Sequence, residues 1–187
     1  ANAPETKDND FTWKDFQAKN NNELVAIFGN FVNRVVVLTH KYYDGINPDM
    51  NLSNDIDKET LLEIYKFPKK IGDLIERYKF REAVNTVIDL ARLGNKYLAE
   101  EEPWKLIKTD QKERVKTIMN ISLQLCGVLS IVCKKLKKIL NFENFSWNSI
   151  SINNPVKIKN INKGELIFRK IEDDEIELQV QKLNESA

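Results

Sequence analysis

The clearest pattern along the chain runs from Glu23 to Gly45. At about 100° per residue, Leu24, Ile27, Phe28, Phe31, Val35 and Leu38 fall on one face, and Val25, Val32 and Val36 widen it. This i, i+3, i+4, i+7 spacing predicts a buried helix. Ala26, Asn33 and Val37 lie opposite, and Asn30, Arg34 and Lys41 line the shoulder between the two faces. Asn20, Asn21 and Asn22 are candidate caps for its start. Asp44-Gly45, followed by Pro48, signals its end.

The same period recurs along most of the chain. Thr12, with Asp15 three residues later, predicts a capped turn anchored by Trp13 and Phe16. Residues 57–78 carry Leu61, Leu62, Ile64, Tyr65, Ile71, Leu74 and Ile75 at helical spacing, with Pro68 bending or dividing the helix. Residues 80–100 repeat the stripe through Phe80, Ala83, Val84, Val87, Ala91, Gly94 and Leu98; Gly94 sits where a missing side chain lets another helix approach. The acidic run Glu100 to Glu102 closes that helix and Pro103 opens a short one, which puts Trp104 at a junction.

A fourth long helix, 111–133, is predicted to start at Asp110 and to bury Val115, Ile118, Met119, Leu125, Cys126 and Leu129. The basic run KKLKKIL has an apolar side in Leu136, Ile139 and Leu140, so it predicts a short amphipathic helix. From Asn141 the periodicity fades; Phe142, Phe145 and Trp147 are candidate anchors across the bundle, and Asn153-Asn154-Pro155 marks a loop. Residues 165–187 pass from a short apolar patch into a charged helical tail. The expected fold is all-α: a bundle of about five main helices with an extended or helical C-terminal tail.

Composition changes this picture little. The 187 residues suit one core, and 42% hydrophobic with 30% charged residues is ordinary for a globular protein. A net charge of +1 excludes a global basic field, so any nucleic-acid contact must rest on a local patch. Cys126 and Cys133 stand two helical turns apart, about 10 Å, too far for a disulfide; they read as reduced core residues. With His40 as the sole histidine they make no zinc site. No run of apolar residues predicts a membrane span.

The candidate chemistry is sparse. Asn30 and Arg34 are four apart, so their side chains share one surface. An amide beside a guanidinium on a rigid helix suits a planar, acceptor-rich ligand, and equally describes a solvated polar edge. Trp104 reads as a stacking platform or as a plug in the joint. Lys41, Lys105 and Lys108 are candidate phosphate contacts or solvated helix lysines. No phosphate-binding glycine loop is present, and no Ser/His/Asp or Cys/His set can be assembled. The chain therefore reads as a module that binds and does not turn over a substrate.

GNFVNR followed by YYDG, then EEPWK about sixty residues on, together resemble the anticodon-binding helical domain of the methionyl-tRNA synthetase family. The likeness extends from FTWKDF to IEDDEIELQVQKL, nearly the whole chain. It implies that Asn30, Arg34 and Trp104 read the CAU anticodon of tRNA(Met), with Trp104 stacking on the first base, cytosine. It implies a cytoplasmic methionine–tRNA ligase as the parent, using ATP and Mg²⁺ in a catalytic domain whose HIGH and KMSKS motifs do not occur here.

In that reading residues 1–11 form the junction from the catalytic domain and 12–150 the anticodon-binding bundle. Residues 151–187 form an extension that packs on the bundle or runs toward the catalytic core or a further module. The family pattern also places a proline-rich PFLP-like stretch between the last two bundle helices. Here Cys133 runs directly into Lys134, either a departure or an absence of residues. The alternative function is a helical protein–protein scaffold that docks a partner in an apolar groove.

Overall fold

The computed structural model describes residues 11–141, 150–151 and 154–185. Phe142, Phe145, Trp147 and Asn153 lie outside the described residues. Among the described residues every named element is helical, in agreement with the all-α expectation.

The first helix is longer than its pattern suggested. Helix α1, Trp13–Lys19, starts at Thr12, whose hydroxyl accepts the Asp15 N–H at 3.0 Å. It continues without a break through a π-helical segment, Asn20–Gly29, into α2, Asn30–Tyr43. The asparagines do not cap a new helix. Their side chains instead hold a distant part of the chain: Asn20 Nδ2 donates to the Arg169 carbonyl, and Asn21 bonds both the carbonyl and the N–H of Ile171. Helix α2 buries Phe31, Val32, Val35 and Val36 and exposes Asn33 and Val37, as the stripe required. It stops at Asp44, in the left-handed region at φ 52°, and Gly45, at φ 79°; a Cβ on Gly45 would strike the His40 ring.

Helices α3, Asp55–Ile64, and α4, Phe67–Glu76, are the two halves that Pro68 separates. Helix α5, Phe80–Glu101, crosses α2 where Gly94 meets Phe31; any Cβ at Gly94 would fall inside contact distance of that ring. After the short α6, Pro103–Leu106, comes α7, Lys112–Leu129. Asp110 does not cap α7. The first residue before it, Gln111, gives its N–H to the Thr109 hydroxyl at 3.3 Å.

Helix α7 is the centre of the bundle. With the 3₁₀ turn Ser130–Val132 it is long and apolar enough to cross a membrane, a length the apolar-run count did not register, but 83% of that stretch is buried within the protein. Its apolar character therefore belongs to a core position. Cys126 is buried, whereas Cys133 lies past the helix end in extended conformation and is only partly covered; both are free thiols. The chain turns there directly into α8, Lys134–Ile139, which buries Leu136, Ile139 and Leu140.

A buried ionic cluster ties three helices together, and periodicity gave no sign of it. Asp57 of α3, wholly buried, pairs with Arg114 of α7 and accepts a 2.7 Å hydrogen bond from the Tyr97 hydroxyl of α5. Arg114 also pairs with Glu101 at 2.7 Å. Burial opposes the Arg114 charge, yet the hydrogen bonds to Asp57 and Glu101 hold its pKa above the usual value. Burial, then the bond to Asp57, raises the Tyr97 hydroxyl well above the ordinary tyrosine range.

The segment from Val156 to Ile171 does not leave the bundle. Ile161 N–H bonds the Gly45 carbonyl, Asn47 bonds Ile158 and Lys159, and Val156, Ile158, Ile161 and Ile167 are buried. Helix α9, Asp173–Glu185, then begins against α1, where Gln17 Nε2 reaches Asp173 at 2.8 Å. Arg169 and the Glu172 N–H together hold the Glu175 carboxyl at about 2, below the usual carboxylate range.

Candidate nucleic-acid interface

Two helices build the site. The stripe of α2 turns Phe31 and Val35 into the core, which leaves Asn30 exposed and Arg34 half-buried on its flank. The end of α5 supplies the other wall. Glu102 closes that helix in the left-handed region at φ 43°, unusual for a side chain of its size, and Pro103 restarts the helix at once. Glu102 N–H bonds the Leu98 carbonyl at 3.1 Å, while its own carbonyl receives Lys105 N–H at 2.8 Å. The reversal is thus fixed on both sides, and it swings Trp104 back toward α2.

The result is direct contact. The Arg34 guanidinium carbon lies 4.8 Å from the centre of the Trp104 ring. Trp104 is half-buried and packs against the core, so the ring has little freedom to move. Among the described residues Arg34 makes no ion pair, so its donors are not committed to a carboxylate. A cation over an indole is worth about 0.5–2 kcal/mol, more as water is excluded. Asn30, one turn before Arg34, donates from Nδ2 to Asn95 Oδ1 of α5 at 3.4 Å. It also edges a groove of about 400 Å³ between α2 and residues 164–168.

Asn30, Arg34 and Trp104 therefore share one surface. The three lysines are less uniformly placed. Lys105 is exposed beside Trp104 but pairs with Glu102 at 2.8 Å. Lys108 is exposed in the turn after α6. Lys41 lies two helical turns beyond Arg34, about 10 Å along the axis, above the Tyr42 ring at 5.7 Å. The polar residue that sequence reasoning missed is Asn95. Its only signal was an amide at the edge of the α5 stripe, next to Gly94.

Elsewhere, an apolar groove of about 350 Å³ lies among Leu24, Phe28, Phe80, Val84, Val132 and Cys133. Among the described residues no three His, Cys, Asp or Glu side chains converge as metal ligands.

Residues 48–186 match the family described as the anticodon binding domain of methionyl tRNA ligase, and residues 1–36 match class I tRNA synthetases of the methionine type. The methionine–tRNA ligase of Christiangramia forsetii is 56% identical over 98% of this chain, and that of Flavobacterium psychrophilum is 52% identical over 98%. The chain spans 29% and 28% of their lengths. The apo methionyl-tRNA synthetase of Mycobacterium tuberculosis superposes with a TM-score of 0.81 over 91% of this chain and 37% of that one. The same enzyme bound by methionyl-adenylate gives 0.75. Both share 16% sequence identity with this chain, a likeness of fold.

Proposed function

The chain belongs to the methionine–tRNA ligase family and carries its anticodon-binding domain, and from that premise we propose that Asn30, Arg34 and Trp104 read the CAU anticodon of tRNA(Met). The observation that carries this reading is the Arg34–Trp104 stack, formed by two helices that meet beside Asn30.

The physical case is one of division of labour. Anticodon bases stand unstacked in a loop, where they can be stacked on aromatic rings and bonded at their edges. A base on the indole gains about 1–3 kcal/mol, whichever base it is. Stacking alone thus captures the loop without specifying CAU. Discrimination comes from the edge: Arg34 offers donors only, while Asn30 offers both a donor and an acceptor. A well-placed bidentate contact separates right from wrong bases by about 1–3 kcal/mol. Lys108, Lys105 once released from Glu102, and Lys41 contact the flanking phosphates. In the whole cytoplasmic ligase, ATP and Mg²⁺ act in the catalytic domain, and anticodon binding orients the tRNA toward it. That domain is the second partner of this chain.

The apolar groove around Phe80, Val84 and Val132 favours one competing role, a protein-docking scaffold. A fluorescence titration with a CAU anticodon stem-loop at two salt concentrations separates the two. RNA readout requires a salt-sensitive response that prefers CAU over a scrambled loop; equal weak binding of both loops would favour the scaffold.

A further inference from the structure

Asn95 is half-buried on α5, one residue beyond the Gly94 crossing. Its Nδ2 donates to two backbone carbonyls, Ile27 at 3.0 Å and Ala91 at 3.1 Å. Ala91 is the carbonyl one turn back on its own helix. Ile27 belongs to the π-helical segment that ends immediately before Asn30. These two bonds fix which end of the Asn95 amide points where. Turned over, the amide would set its oxygen against two carbonyl oxygens and lose both hydrogen bonds. Asn95 Oδ1 therefore has one available direction, and there it accepts from Asn30 Nδ2.

With Asn30 Nδ2 turned toward Asn95, the Asn30 Oδ1 is the end left facing outward from an exposed residue. Asn30 is no longer an ambiguous amide with either end available. It stands as an acceptor, one helical turn from the donor-only guanidinium of Arg34.

We infer that Asn95 is a positioning residue that locks the Asn30 amide with its oxygen outward, so that the site selects a base edge bearing an amino group beside an acceptor. On the Watson–Crick edge cytosine and adenine present this pair; uracil and guanine carry a carbonyl at the position of that amino group. This inference rests on the anticodon reading above. It adds to it a direction for the Asn30 hydrogen bond and a residue that sets that direction without touching the RNA. Gly94 and Asn95 act as neighbours in this: the glycine lets α5 approach α2, and the asparagine uses the closeness to reach across.

The test uses CAU stem-loops in which the cytosine or the adenine is replaced, one at a time, by an analogue lacking the exocyclic amine. The unmodified chain should lose about tenfold in affinity for one of them. In Asn95→Leu that loss should shrink to about twofold or less, while the effect of Trp104→Ala stays the same. Asn95→Ser, smaller and free of steric conflict with the Gly94 crossing, carries the same comparison if the leucine variant unfolds.

A second readout needs no RNA. The side-chain NH₂ of Asn30 in a ¹⁵N spectrum should shift in both Asn95 variants. Asn95 variants that keep the full amine preference would overturn the inference while leaving anticodon recognition intact, as would an unmodified chain indifferent to both amines. A chain that prefers no stem-loop at all would remove the anticodon reading itself.

Discussion

The Arg34 guanidinium sits over the Trp104 indole at 4.8 Å, although the two residues belong to different helices, and among the described residues Arg34 makes no ion pair. An arginine placed on an aromatic face and not on a carboxylate keeps its planar donors available. If the indole is the platform for a base, Trp104→Ala should weaken binding of a CAU stem-loop about tenfold or more. Its thermal midpoint should move by only a few degrees, about 1 kcal/mol of packing. A variant that unfolds under the same conditions would show the ring to be a plug holding α5 and α7 together.

Arg34→Lys keeps the charge and loses the fork. Affinity at low salt should fall modestly, while discrimination between CAU and a loop altered at one anticodon base should drop about tenfold. Equal losses for both loops would assign Arg34 to the phosphates. Competition titrations with paired stem-loops measure this directly.

Gly94→Ala places a methyl against the Phe31 ring. Overpacking of this kind costs about 1–3 kcal/mol, and it pushes α5 away from α2. Because Asn95 rides on α5 and Trp104 on α6 directly after it, urea unfolding should show the loss of stability and the stem-loop titration a weaker complex. Unchanged RNA affinity in a destabilised variant would mean that the spacing of the two helices does not set the site.

Asp57→Asn removes the buried charge that the half-buried Arg114 faces. Breaking a buried pair from one side costs about 3–5 kcal/mol, so chemical denaturation should register a large shift. Replacing Asp57 and Arg114 together by apolar residues of similar volume should recover much of it. A small effect of Asp57→Asn alone would mean that Glu101 is partner enough for Arg114.

Stability should fall at alkaline pH through tyrosine. Burial pushes the Tyr65 hydroxyl up to about 12, and burial followed by the Glu113 and Tyr42 charges pushes Tyr43 up to about 12. In the unfolded chain both ionise near pH 10. A raised folded pKa makes the folded state the better proton binder, so this stabilisation is complete below about pH 10 and is lost as pH rises toward 12. Urea midpoints at pH 9 and pH 11 should therefore differ, the latter lower, and Tyr65→Phe should reduce the difference.

Much of the bundle was written in local spacing. The stripe of α2, the division at Pro68, the close approach at Gly94 and the junction before Trp104 follow from rules that act within a turn or two of helix. The same rules placed Asn30 and Arg34 on one flank, and family likeness singled them out from other such pairs. What the spacing misread was polar and distant: Asn20 and Asn21 read as caps, and the residues they hold lie at Arg169 and Ile171.

The sequence alone therefore determined which faces are apolar, where helices stop, and which side chains are candidates for contact. The tertiary structure decided which polar groups find each other: Asp57 with Arg114 and Tyr97, Asn95 with Asn30, and Arg34 with the Trp104 ring. The reason is physical. Apolar burial is non-directional and leaves a periodic trace in the chain. A hydrogen bond or ion pair acquires its worth only when two remote groups are brought within about 3 Å and stripped of water together.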